Sequence, residues 1–167
     1  MAPVDTDNVS QAVSEQFIEF VVQGQHYAFS IHQIREIVTA TDVTPLPSVP
    51  EYVDGVRNLR GTIIPIVNLR TLFGLQQRQA DADTRTIVCC TEDRLMGCVV
   101  DAVTRVLRVE EDRIQSPPGT VNQAAARYLR GFVDVDDQLV IVLDVHQLLN
   151  LETLGEVSQH MIGTAAT

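Results

Sequence analysis

Short apolar runs alternate with turn-forming residues along most of this chain. Phe17–Val22, Tyr27–Ile31, Ile34–Val38, Val53–Leu59 and Thr62–Val67 are each long enough for a strand and short for a helix. Gly24-Gln25 is placed for a tight turn after the first run, and His32-Gln33 for a kink before the third. Pro45, Pro47 and Pro50 punctuate an irregular loop, and Arg60-Gly61 sits where a hairpin connection belongs. Asn68–Phe73 predicts a single helical turn capped by Asn68 and stopped by Gly74. Gln76–Thr84 is polar and reads as a linker.

The same order of elements then returns. A shift of 69 residues lays Phe17–Val38 over Thr86–Leu107 without a gap, with Ile18 on Ile87, Ile31 on Val100, Ile34 on Val103 and Ile37 on Val106. A shift of 76 lays Gly55–Phe73 over Gly131–Leu149, with Ile66 on Val142, Asn68 on Asp144 and Leu72 on Leu148. The loop between these blocks has 16 residues in the first copy (Thr39–Asp54) and 23 in the second (Arg108–Arg130), which accounts for the change of offset. Each copy spans about 60 residues, marginal for an independent core. The repeat therefore predicts two similar small barrels in tandem, around residues 15–73 and 84–149, joined by a linker at 74–83 and sharing apolar surface, with a groove at their seam. Ala124–Leu129 is a candidate short helix in the longer loop. Residues 1–14 and 152–167 are polar enough to be flexible tails.

Composition narrows the function. Of 167 residues, 45% are hydrophobic, but only 5% are aromatic and none is Trp, so Val, Ile and Leu must build the core. A net charge of -10 argues against gripping nucleic acid or anionic lipid, and favours a monomer when isolated. No run approaches the ~20 apolar residues that cross a bilayer, and the N-terminus lacks a signal-peptide pattern. Three cysteines, two of them adjacent, make no disulfide framework, so a reducing cytoplasm is expected.

Candidate chemistry is sparse. Cys89 and Cys90 lie mid-strand and point to opposite faces; a turn at Asp93-Arg94 would set Cys89 opposite Cys98, either as a redox bridge or as two small apolar fillers. Neither a base nor an electropositive neighbour is visible for a nucleophilic thiol, since Thr91-Glu92-Asp93 follows. His26, His32, His146 and His160 have no zinc-ligand spacing. Asp134, Asp136 and Asp137 lack the pattern of a calcium loop and read as an exposed turn. No cofactor or metal is implied. Arg60 stands out: an Arg on a rigid turn is a recognition device, and equally a partner for an internal carboxylate such as Glu36.

The segment Gly55-Val-Arg-Asn-Leu-Arg-Gly-Thr-Ile-Ile-Pro-Ile-Val-Asn-Leu-Arg70 closely resembles the signature of CheW-like coupling proteins. Ile31-His-Gln-Ile34-Arg-Glu36-Ile37, Val99-Val100-Asp101-Ala102-Val103, Tyr128–Gly131 and Ile141–Leu149 resemble further pieces of that family in the same order, across roughly residues 15–151. The resemblance implies a mainly β fold of two interlocked five-stranded SH3-like β-barrels with a shared hydrophobic core and a few short helices. It also implies a non-enzymatic cytoplasmic adaptor that couples methyl-accepting chemoreceptors to the regulatory domain of the histidine kinase CheA. Carried over by position, Ile34, Glu36, Asn58 and Arg60 face the receptor, with Val100 and Val103 lining the second side of the groove. The kinase-facing residues lie on barrel two and are unnamed. Ala102 departs from a frequent family Gly, and the acidic Asp134–Asp137 turn is a further departure. Alternatives are a coupling protein of a pilus-motility or other chemotaxis-like pathway, a small-ligand-binding barrel, and a thiol enzyme.

Overall fold

A computed structural model describes residues 13–119 and 127–149. Ten strands alternate with short turns: β1 (Ser14–Val22), β2 (Gln25–Ser30), β3 (Ile34–Thr39), β4 (Val53–Leu59), β5 (Thr62–Asn68), β6 (Arg85–Cys90), β7 (Leu95–Val100), β8 (Ala102–Glu110), β9 (Leu129–Val135) and β10 (Gln138–Leu143). Two helical turns, α1 (Leu69–Leu72) and α2 (Val145–Leu149), follow β5 and β10. The Asn68 carboxamide oxygen accepts from the Arg70 and Thr71 amides, and Gly74 takes φ +77° beyond the helix, as the sequence predicts.

The strands form two five-stranded sheets, ordered β8-β1-β2-β10-β9 and β3-β6-β7-β5-β4. The two repeats interlock. Neither repeat closes on itself: each sheet takes a hairpin from one repeat and three strands from the other. The exchange is sealed by two parallel pairings, β2 with β10 and β5 with β7. Such pairings join strands distant in sequence, which local patterns cannot reveal. The sheets curl without closing through a continuous ladder; single bridges, Thr44 to Val56 and Gln115 to Phe132, bring their edges together.

Alternation along the strands sorts side chains between two kinds of core. On β1, Phe17 and Glu19 point into the first sheet's own lobe, while Phe20 and Val22 join the core shared between lobes. That shared core also takes Phe29, Val67, Leu69, Ile87, Cys89, Met96, Cys98, Leu143 and Leu148, from both repeats and both sheets. An aromatic row crosses it: Phe20 lies 4.8 Å from Phe29 and 5.8 Å from Tyr27, and Tyr27 lies 5.2 Å from Phe73.

Three local expectations shift. The first hairpin turns at Gln23-Gly24, both at positive φ, because Val22 pairs with Gln25. Thr91–Arg94 connect β6 to β7, so Cys89 pairs with Met96 and Cys98 with Ile87. The Ala124–Leu129 helix falls largely outside the described residues, and Leu129 itself opens β9. Both proposed tails lie almost wholly outside the described residues; Ser14 begins β1.

Candidate functional site

The rim of the β3-β6-β7-β5-β4 lobe is where the predicted residues gather. Arg60 and Gly61 form a two-residue hairpin with φ +52° and +89°, between Leu59 and its partner Thr62. Positive φ at both positions matches the twist of the flanking strands. It costs a non-glycine residue some strain, so Arg60 is held there against its own preference. Asn58 holds it: its Oδ1 accepts the Gly61 N–H at 2.8 Å. Arg60 Nη1 then reaches 2.5 Å to Glu36 Oε2 on β3, the opposite edge of the same sheet. Glu36 is largely enclosed and Arg60 is 78% exposed, so the guanidinium keeps donors facing outward. Both expectations for Arg60, internal partner and outward display, describe one geometry.

Two further contacts close this rim and are not evident from the sequence. Arg57 Nη1 donates to the Thr39 carbonyl at 2.5 Å, and Thr44 exchanges both backbone hydrogen bonds with Val56 at 2.7 and 2.9 Å. Gly55 permits that approach. At φ +147°, a Cβ there would lie 2.1 Å from the Thr44 oxygen.

The remaining residues divide. Ile34 and Val103 are both half-buried and pack on the edge of the shared core, where a groove between lobes would run. They occupy equivalent places in the two repeats, each beside a bulge: β3 skips a residue between Ile34 and Glu36, and β8 between Val103 and Arg105. Val100 differs. It is 1% exposed and belongs to the shared core, so it supports the groove from beneath and does not present a side chain to a partner.

The other lobe carries an equivalent rim with a different charge order. Asp136 and Asp137 occupy its two-residue turn, at φ +53° and +64°. Arg105 on β8 reaches Asp136 Oδ2 at 3.1 Å. Arg105 also donates from Nε to Glu19 Oε1 at 2.7 Å, and Glu19 is 1% exposed. Thr104 Oγ1 donates to Glu19 Oε1 at 3.0 Å, and His26 Nδ1 lies 3.0 Å from Oε2. Burial opposes ionisation of Glu19, but the hydrogen bonds from Arg105 and Thr104 outweigh it and hold the carboxyl below its usual range. A lone Glu in the apolar run Phe17–Val22 was the available sequence signal for this network.

The facing thiols of Cys89 and Cys98 do not make a reactive site. Cys89 and Cys98 are fully buried, and burial pushes the Cys89 thiol well up, away from the thiolate that nucleophilic chemistry needs. Among the described residues no cluster of metal-ligating side chains occurs, and no helix is long and apolar enough to cross a membrane.

Residues 16–153 match the CheW-like domain family, so the chain belongs to that family. It is 33% identical over 147 residues to the chemotaxis protein CheW of Treponema pallidum, covering 86% of each chain. It is 35% identical over 134 residues to that of Helicobacter pylori, covering 80% of this chain and 81% of the relative. The crystal structure of the scaffolding protein TtCheW from Thermoanaerobacter tengcongensis superposes with a TM-score of 0.77 at 29% identity, over 84% of this chain and 91% of that one. The protein is thus a chemotaxis scaffold, non-enzymatic, with the SH3-like β architecture of its family.

Proposed function

We propose that this chain couples the cytoplasmic tips of methyl-accepting chemoreceptors to the regulatory domain of a CheA-type histidine kinase, in the cytoplasm and recruited to membrane receptor arrays. The observation that carries the reading is the braced Arg60: a turn capped by Asn58, a guanidinium pinned to Glu36, and free donors facing solvent. Ile34 and Val103 offer partly exposed apolar surface on either side of the seam. A helical hairpin laying an apolar stripe along that surface, with a carboxylate or carbonyl toward Arg60, uses ordinary helix-in-groove recognition. The receptor-facing set is therefore Ile34, Glu36, Asn58, Arg60 and Val103. The kinase regulatory domain is assigned to the other lobe, and residues 15–151 act as one unit between the tails.

The test measures binding of the purified chain to a soluble receptor-tip fragment and to a CheA regulatory domain, singly and together. Arg60→Ala should weaken receptor binding about tenfold, as for loss of one anchoring Arg, and leave the kinase-domain affinity and the unfolding transition unchanged. Wild-type receptor affinity in Arg60→Ala would remove Arg60 from the site. Failure of the native chain to bind either cognate partner would remove the coupling role.

A further inference from the structure

The chain crosses between the two sheets at two equivalent places, through the single 3-10 turn Ile31–Gln33 after β2 and through Asp101 alone after β7, and the two are built differently. After β7, Asp101 receives Arg70 Nε at 2.8 Å and Nη2 at 2.6 Å, a two-pronged pair whose partners are 12% and 13% exposed. The Gln23 amide donates to Asp101 Oδ2 at 2.8 Å, and the Asp101 amide donates to the Val21 carbonyl at 3.0 Å. Arg70 Nη1 donates further to the Gln76 carbonyl at 3.0 Å. One carboxylate thus ties α1 and the following linker, on one sheet, to the β1–β2 turn of the other. The hydrogen bonds that Arg70 donates to Asp101 are the main cause of its raised pKa. Burial pulls the Asp101 carboxyl up, yet Arg70 and the Gln23 amide bring it down.

At the crossover after β2 the repeat puts His32 where Asp101 stands, His146 where Arg70 stands and Glu92 where Gln23 stands. Two imidazoles cannot form the ion pair that Arg70 and Asp101 make. His32 and His146 line a polar cleft of about 350 Å³ together with Glu15, Ser30, Arg130 and Asp144. At this second crossover Arg94 Nη1, on the β6–β7 turn, donates to the Leu149 carbonyl on α2 at 2.9 Å, so one crossover is tied by a two-pronged ion pair and the other by a single hydrogen bond to a neutral carbonyl.

We propose that Arg70 and Asp101 are positioning residues: a latch, ion-paired on this side of the seam alone among the described residues, that sets the angle between the sheets, and so the spacing of Val103 and Ile34 across the groove. Val103 lies two residues beyond Asp101 on β8, while Leu72 and Phe73, just beyond Arg70, pack on the same core as Ile34 and Val103. A pair fixed at both ends transmits a displacement of either sheet to that spacing. Its consequence for recognition rests on the receptor-facing assignment above; its mechanical part does not.

The test uses Arg70→Met, Asp101→Asn and the swapped double variant R70D/D101R. The control pair is Glu15→Gln and Arg130→Met, which breaks an ion pair of similar geometry (Nη2 to Oε1, 2.8 Å) within a single sheet. Spin labels at the exposed positions 35 on β3 and 108 on β8, in a C90S background, report the distance between sheets. The latch variants should broaden that distance distribution and weaken receptor-fragment binding about tenfold, with kinase-domain binding changed less than about twofold. The swap should recover part of both, and the control variants should change neither at equal loss of thermal stability. An unchanged distance distribution in Asp101→Asn and Arg70→Met overturns the latch. A broadened distribution with wild-type receptor affinity confines it to mechanics and overturns its role in recognition. If the native chain does not bind the receptor fragment while the distribution still broadens, the receptor assignment fails and the latch stands.

Discussion

The two lobes share strand order, bulge position and a two-residue turn at the rim, yet their rims carry opposite charge at equivalent positions. Glu36 on β3 meets Arg60 at the turn; Arg105 on β8 meets Asp136. The cause lies one layer deeper. Opposite Glu36 in the ladder is Val88, a buried apolar residue, whereas opposite Arg105 is the buried Glu19. A buried carboxylate needs a cation beside it, which fixes Arg at position 105. The residue at the turn then follows as the outer partner of that Arg. In the lobe of Glu36 no buried charged side chain among the described residues demands a counter-ion at this place, and there the strand residue is the carboxylate and the cation is left outermost. Equal folds thus give one lobe an outward guanidinium and the other an outward carboxylate.

The comparison is broken most severely at the rim glycines. Gly55 and Gly131 occupy equivalent places, but a Cβ at Gly55 would lie 2.1 Å from the Thr44 oxygen at φ +147°, and at Gly131 2.5 Å from the Gln115 oxygen. Gly55→Ala should cost at least about 3 kcal/mol in denaturant unfolding, combining backbone strain with a steric clash. Gly131→Ala should cost less, about 2 kcal/mol, because only the clash remains. Equal losses would show that φ at position 55 contributes little.

Next is the buried network. Arg105→Met strands the fully buried Glu19 without its main counter-charge and should lower the unfolding midpoint clearly, whereas Arg60→Met, which removes an exposed cation from a Glu36 that keeps some access to water, should change it less. Val88→Ala in the lobe of Glu36 removes apolar volume only, at about 1–2.5 kcal/mol. A tolerant Arg105→Met would mean that Thr104 and His26 suffice for Glu19.

The acid side of the stability profile sharpens the same contrast. Hydrogen bonds from Arg130 hold the Glu15 carboxyl low, and Glu19 and Asp101 titrate low despite burial. A carboxyl depressed in the folded state binds fewer protons there than in the unfolded chain, so its contribution is present above the unfolded value and lost as pH falls. Stability should therefore decline as pH drops through and below the ordinary carboxylate range, about 4. Glu19→Gln should flatten that decline. Asp54 works the other way, since burial raises its pKa and acidification relieves it. The smallest expected effect is that of Asn58→Ala, which removes the hydrogen bond to the Gly61 amide at an exposed turn, about 0.5–1 kcal/mol. Its influence on receptor affinity should exceed its influence on stability if the turn is kept for recognition.

Much of this was legible along the chain because strands and turns are local. Short apolar runs between turn residues marked β1 to β5, Asn68 and Gly74 bracketed α1, and Arg60-Gly61 marked its hairpin. The repeat predicted two similar sets of short strands, and the same shifts of 69 and 76 residues lay Arg105 on Glu36 and Asp136 on Arg60, a correspondence whose meaning only the structure brings out. Glu36 as the partner of Arg60 was readable as one candidate because the two lie on neighbouring elements of one copy. Val100, placed at the groove by resemblance alone, is instead buried, because a position carried over from a family does not say which face of its strand is covered.

What the sequence determined by itself, then, is the set of elements, their duplication, the family and the residues able to display an Arg at a rigid turn, since each rests on short-range geometry. What only the tertiary structure decided is which strands close which sheet, that Glu19 is buried and paired, and that Arg70 finds Asp101 across the seam. Those depend on pairings between residues far apart in sequence. Exchanging hairpins between two like repeats preserves every local pattern while changing every long-range neighbour.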